Sequence, residues 1–175
     1  MHANFLIAKA TVQRTGGRLA SVAVAPIAAG ETVAAFGGSC ISGTELEALP
    51  VEQQGRCIQI DEDLYMAGSV FAEAADMINH SCAPNCGIVS GVLVVAMNDI
   101  AVGQEITYDY AMTDGSSTDT FACECGAMLC RGTVRGSDWM LPELQLAYRG
   151  FFSPYLAKRI AALVSIGAER RAFAL

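Results

Sequence analysis

The chain has little charge and less of the positive sign. Charged residues make up 17% of its 175 positions, with 11 Lys and Arg against 18 Asp and Glu, for a net charge of -7. A polyanion is repelled on average by such a surface, so direct nucleic-acid binding is not expected. No long apolar run is present. The longest nearly apolar stretch, Val22 to Ala29, is short and contains Pro26, which argues against a membrane span. The first residues lack the basic start and cleavage site of a signal peptide, so an intracellular, cytoplasmic protein is expected, nuclear or chromatin-associated if the source is eukaryotic. Seven cysteines is an odd number, which excludes a fully paired disulfide framework in a monomer. What is abundant is apolar: 53% of residues, enough for a real core in one domain with a short appendage.

The first half reads as short strands between turns. "NFLIAKATV" and "LASVAVAPI" are β-rich, and "IAAGETV" is a strand–turn–strand signal around Gly30. That segment recurs as "IAVGQEI", with Ile27, Gly30 and Val33 matching Ile100, Gly103 and Ile106 at a constant offset of 73. Two similar hairpins in one β fold are expected, not a solenoid. Thr44 and Glu47 suggest a capping box for a short helix. "SVFAEAADMI" suggests another, ending at Asn79. "CGIVSGVLVVAMND" is β-rich with a turn at Ser90-Gly91, and Thr113 to Thr120 reads as a polar, mobile loop. The C-terminal part turns helical: Pro142 and Gly150 bracket one helix. Ser153 caps a second, whose Leu156, Ile160, Leu163 and Ile166 or Gly167 fall at helical spacing. The expected result is a β-rich body followed by helices that pack on it.

Two stretches carry chemistry. "CECGAMLC" places Cys123, Cys125 and Cys130 within one turn, with Gly126 allowing a tight bend. Zinc favours four ligands in a tetrahedron, so one is missing locally. "DMINHSCAPNC" offers Cys82, Cys86 and His80 as donors for the fourth position. Cys40 and Cys57, isolated in sequence, are expected to be small buried hydrophobes.

Together these stretches resemble the SET-domain protein-lysine methyltransferases. "INHSCAPNC" is similar to the family's N-H-S-C-x-P-N motif, "GQEITYDY" to its G-E-E-[IL]-T-[FY]-D-Y motif, and "CECGAMLCRG" to its post-SET C-x-C-x4-C-R-G motif. The likeness runs from about Leu19 to Gly132. It implies a mainly β fold with short helices: a β-clip with a pseudoknot, a post-SET zinc knuckle and C-terminal helices. The corresponding divisions are 1–111, 112–135 and 136–175. It implies zinc held by Cys82, Cys123, Cys125 and Cys130, with Cys86 free. It implies S-adenosylmethionine contacted by Asn79, His80, Glu124 and Tyr110, and by Arg18 and Leu19 where the family carries G-x-G. Tyr110 matches the catalytic tyrosine, and Tyr108 the position that limits methyl number, so mono- or dimethylation is implied. His80 is mainly structural in the family.

This chain departs from the pattern in three places. It reads "RLA" for G-x-G and "AEAADM" before N-H-S-C, and it shows no second active-site tyrosine near Arg56 to Ile58. The implied activity is methyl transfer to a lysine of a protein substrate with a basic segment, histone-like or ribosomal. The competing class is a catalytically weak SET-like zinc module that binds basic peptides.

Overall fold

The two echoed segments face each other. Ile27 and Ile100 exchange both backbone hydrogen bonds, at 3.0 and 2.8 Å. Each segment turns on a left-handed glycine, Gly30 at φ 85° and Gly103 at φ 86°, a conformation that side chains with a Cβ rarely adopt. Each turn is closed by the following side chain: Glu31 accepts from Ala28 N–H at 2.9 Å and Gln104 from Ala101 N–H at 2.7 Å. Gly30 N–H then donates to Ala96 O and Gly103 N–H to Ala23 O, both at 2.8 Å. The repeat in the sequence is thus a pair of matched turns that brace each other at the centre of one fold.

The computed structural model describes residues 4–116 and 119–172, and is mainly β with short helices. The largest sheet contains β1 (Phe5–Leu6), β4 (Thr32–Ala35), β10 (Leu93–Ala96), β9 (Cys86–Val89), β11 (Thr107–Tyr108) and β8 (Asn79–His80), in that order. A hairpin of β2 (Ala10–Thr15) and β3 (Arg18–Ala23) and a small sheet of β5 (Ser39–Ser42), β7 (Leu64–Ala67) and β6 (Ile58–Asp61) flank it. β12 (Thr120–Ala122) and β13 (Thr133–Arg135) form a ribbon at the cysteine segment. Four helices are described: α1 (Gly43–Glu47), α2 (Val51–Gln54), α3 (Pro142–Ala147) and α4 (Pro154–Ala172).

Several local expectations are corrected. The capping box of α1 is Ser42 with Glu45, not Thr44 with Glu47; Ser42 Oγ takes the Glu45 N–H and the Glu45 carboxylate takes the Ser42 N–H. The "SVFAEAADMI" helix shrinks to a single 3-10 turn, Ala74–Met77, because Asn79 and His80 are drawn into parallel pairing with β11. Cys40 is exposed and Cys57 only partly buried; Cys86 is the buried free thiol. The turn at Ser90-Gly91 has positive φ at both residues, 55° and 82°, the twist that suits a tight hairpin. The loop reading of Thr113 to Thr120 lies partly outside the described residues, at 117 and 118.

The buried core is continuous from the sheet into the C-terminal segment. Ile88, Val94, Ile100 and Ile106 pack in one cluster with Trp139, Tyr148, Phe152, Tyr155 and Leu156. Ile88 N–H also donates to Phe151 O at 3.1 Å. The approach is close enough that a Cβ on Gly87 would sit 2.6 Å from the Phe151 side chain. On α4, Leu156 is fully buried and Ile160 partly so, but Leu163 is 44% exposed, so the packed stripe ends after Ile160. Ile166 and Gly167 lie outside the described side chains. No helix among the described residues is long and apolar enough to cross a membrane.

Candidate active site

β11 is the short strand on which the site is built. It runs parallel to both of its neighbours, β8 and β9, so the turn between them, residues 81–85, crosses from one side of β11 to the other. Asn85 locks that crossing: its amide donates to Glu105 O at 2.8 Å and accepts from Thr107 N–H at 3.0 Å. Ser81 N–H donates to Tyr108 O at 3.2 Å. Two segments thirty residues apart in sequence, Asn79-His80 and Tyr108-Tyr110, are thereby fixed side by side.

Two cavities meet at Tyr110. One, of about 440 Å³, is lined by Thr15, Gly16, Arg18, Asn79, His80, Tyr110, Phe121, Cys123, Glu124 and Cys125. The other, of about 340 Å³, includes Phe36, Arg56, Tyr65, Ile78, Tyr108, Tyr110, Asp114 and Phe121. Tyr110 and Phe121 belong to both. The first cavity gathers a cation, an amide and an aromatic face. Arg18 there pairs with Glu105 through two hydrogen bonds, at 2.7 and 3.0 Å. Asn79 donates to Glu105 at 2.9 Å and to Leu19 O at 2.9 Å, so Leu19 takes part through its carbonyl while its side chain is exposed.

The two tyrosines are proton-bearing groups. Burial pushes the Tyr110 hydroxyl up to about 12 and the Tyr108 hydroxyl further. Neither is an anion or a base near neutral pH. The Tyr110 hydroxyl is 3.4 Å from Ile78 O, and the two rings lie 5.0 Å apart. His80 has no free nitrogen: Nδ1 accepts from Tyr110 N–H at 3.3 Å and Nε2 faces Cys82 Sγ at 3.3 Å. Burial holds His80 below the usual histidine range, which favours the neutral ring.

The four thiols of Cys82, Cys123, Cys125 and Cys130 all lie within 4.8 Å of one another. A tetrahedral Zn–S distance of ~2.3 Å puts sulfurs ~3.8 Å apart, and Cys82 Sγ and Cys123 Sγ are separated by 3.8 Å. Amide donors point at the sulfurs: Arg131 N–H reaches Cys82 Sγ at 3.4 Å and Gly132 N–H reaches Cys130 Sγ at 3.4 Å. Burial opposes charge on Cys125, yet the amides of Cys82 and Ala127 and the neighbouring thiols draw it down to about 6. The donor set fits a thiophilic ion. Cys86 stands apart, fully buried on β9, its thiol pushed up to about 12 by burial.

Sequence reasoning missed several residues. Asp109 is wholly buried between the two tyrosines and accepts two hydrogen bonds from Arg131, at 2.5 and 2.8 Å. Arg131 also donates to Asp138 at 2.9 Å. The signal was present in the motifs themselves, since the arginine follows Cys130 directly, but nothing in the sequence says which carboxylate it meets. Tyr65, on β7, and Phe36, just after β4, also line the second cavity. Arg56 stands near the expected position of a second tyrosine. Its Nε is buried without a hydrogen-bond partner among the described residues and lies 3.7 Å from Asp76.

The SET-domain family profile matches residues 22–111, just over half of the chain and the segment that holds both halves of the crossing. The chain belongs to the SET-domain family. Among its relatives is a histone-lysine N-methyltransferase of Schizosaccharomyces pombe, described as H3 lysine-4 specific, 41% identical over 81 residues, which covers 42% of this chain and 9% of that protein. The Drosophila melanogaster histone-lysine N-methyltransferase ash1 is 26% identical over 131 residues, 68% of this chain and 6% of the relative. This SET chain therefore spans less than a tenth of either protein. A crystal structure of KRYPTONITE in complex with mCHH DNA, an H3(1-15) peptide and SAH superposes with a TM-score of 0.58 at 25% identity, over 73% of this chain and 30% of that one.

Proposed function

We propose that the protein transfers a methyl group from S-adenosylmethionine to a lysine of a protein substrate. The observation that carries this reading is the pair of cavities that share the Tyr110 wall. The larger one would hold the cofactor, with Arg18 and Asn79 facing its charged end, His80 and Glu124 along the same wall, and the Leu19 carbonyl holding the Asn79 amide in place. The smaller one would take the lysine. S-adenosylmethionine supplies the electrophilic methyl. The chain's own work is placement and exclusion of water: aligned reactants account for on the order of 7–11 kcal/mol of such a barrier. A free lysine has a pKa of ~10.4, and the aromatic floor of Tyr108, Tyr110 and Phe121 favours its neutral form. The protonated Tyr110 hydroxyl orients the amine. Tyr108 narrows the floor with a second hydroxyl, which favours mono- or dimethylation.

A zinc ion held by Cys82, Cys123, Cys125 and Cys130 would tie residues 123–130 to the crossing turn, so its binding energy becomes folding energy for the knuckle. Calorimetry with S-adenosylmethionine, before and after metal is stripped by a chelator, tests both assignments. Binding is expected in the loaded protein and lost in the stripped one. A loaded protein that shows no binding, or a stripped one that binds and methylates unchanged, overturns the scheme. The weaker binding-module reading predicts peptide binding without turnover.

The substrate reading follows from charge. Asp114 lines the lysine cavity, its pKa raised to about 6 by burial, with Asp119 and Asp138 adding to the shift. A net charge of -7 and this acidic wall suit a basic segment, histone-like or ribosomal. Below pH ~6 Asp114 takes up a proton and the wall loses that charge. The KM for a lysine- and arginine-rich peptide is therefore expected to rise as pH falls from 7 to 5, measured against a neutral-flank lysine peptide as control.

A further inference from the structure

The segment after the cysteine knuckle runs along the active-site turn and bonds it in register. Tyr148 OH donates to Asp109 Oδ2 at 3.1 Å, and Ser153 N–H donates to Met112 O at 2.8 Å. Tyr155 OH donates to Thr113 O, and Arg159 Nη1 to Gly115 O at 3.3 Å. The contact is tight: a Cβ on Gly115 would lie 2.8 Å from both the Tyr155 hydroxyl and the Arg159 guanidinium. Tyr148, Ser153 and Tyr155 are all buried.

One of these bonds reaches the group that aims Tyr110. Asp109 is the N-cap of the 3-10 turn Tyr110–Met112; its Oδ1 takes the Ala111 N–H at 3.1 Å. The carboxylate therefore fixes how the chain leaves β11 and where the Tyr110 ring points. Arg131 grips the carboxylate from one side with two hydrogen bonds; the Tyr148 hydroxyl, carried on a buried ring, adds a donor from the C-terminal segment and restricts the carboxylate further. Tyr148 lies beyond residue 132, where the resemblance to the family motifs ends.

We propose that Tyr148 is a positioning residue of the active site, acting on Tyr110 through the Asp109 cap, so that the C-terminal extension is part of the catalytic apparatus. This rests on the reading of Tyr110 as the residue that orients the reacting amine. It does not require that Tyr148 touch substrate or cofactor.

The test is Tyr148→Phe in the full chain, which removes one oxygen and keeps the ring. Loss of a hydrogen bond to a buried charge corresponds to roughly a tenfold fall in kcat. The KM for a lysine peptide, the calorimetric affinity for S-adenosylmethionine and the zinc content are expected to stay within about twofold. The decisive comparison is with Tyr110→Phe. If Tyr148 acts through Tyr110, adding Tyr148→Phe to that variant changes kcat by less than about twofold, although both variants melt lower than their parents. A kcat loss that adds in full to Tyr110→Phe, or an unchanged kcat despite a lowered Tm, overturns the inference and leaves the methyltransferase reading standing. An unmodified protein that binds no S-adenosylmethionine overturns both. If Tyr148→Phe does not fold, Tyr155→Phe, which frees the Thr113 carbonyl at the end of the same turn, tests whether the C-terminal extension positions Tyr110: a kcat loss absorbed in the Tyr110→Phe background supports it, and a loss that adds in full or an unchanged kcat overturns it.

Discussion

Asp109→Ala is expected to remove about 3–5 kcal/mol of folding stability, the effect of breaking a buried ion pair by deleting one partner. Asp109 is fully buried and the Arg131 side chain is only 15% exposed. Four donors converge on this carboxylate: two from Arg131, one from Tyr148 and one from the Ala111 backbone. Alanine strands all of them. Arg131 keeps Asp138 at 2.9 Å, which limits the damage on one side, but its fork loses the partner that matched its geometry. Among the described residues the Tyr148 hydroxyl and the Ala111 N–H that caps the Tyr110 turn are left without a partner. In a domain whose whole stability is of the order of 5–15 kcal/mol, this is a large fraction. Urea unfolding should show the midpoint falling with the slope unchanged, and the Tm should drop on the order of 10 °C. A shift under about 1 kcal/mol would mean that the network is solvated and the buried cluster does not hold the knuckle to the body.

Tyr110→Phe is expected to show the opposite profile: little loss of stability and a fall in kcat of about 10²-fold, the effect of deleting one oriented polar group at a reacting centre. Among the described residues its hydroxyl makes a single long contact, 3.4 Å to Ile78 O, so the fold gains little from it. The ring packs at 5.3 Å from His80 and 6.0 Å from Phe121, and phenylalanine keeps both contacts. The hydroxyl holds its proton up to about 12, so it acts as an aimed dipole and not as a base. Its loss should therefore lower kcat by the same factor at pH 7 and pH 9. Equal turnover of Tyr110→Phe and the unmodified protein would remove Tyr110 from the mechanism and make the shared wall an accident of packing.

These two residues are neighbours in sequence, and their contrasting profiles come from what surrounds them. The likeness to the family motifs singles out Tyr110 from the "TYDY" stretch alone. The sequence does not single out Asp109, because an aspartate in a short strand reads as a surface residue until its partners are known. Arg131, Tyr148 and Asp138 come from three different stretches, and no periodicity links them to residue 109. The same limit explains the local misreadings. "SVFAEAADMI" has helix-forming residues over most of its length, yet parallel pairing of Asn79 and His80 with β11 overrides that preference. Cys40 reads as a small hydrophobe but lies on a strand whose face is open to solvent.

What the amino-acid order determined by itself was everything carried by short-range spacing. The C-x-C-x4-C cluster, the echoed glycine turns and the N-H-S-C and Y-D-Y stretches are each legible within a dozen residues, because turn geometry and ligand bite are local constraints. Tertiary structure alone decided how those pieces meet. It set which side of β11 the crossing turn takes and which carboxylate receives Arg131. It also folded residues 148–159 back along the Asp109–Gly115 turn. Those choices depend on burial and on the pairing of buried polar groups, free energies that exist only once segments far apart in the chain exclude water together.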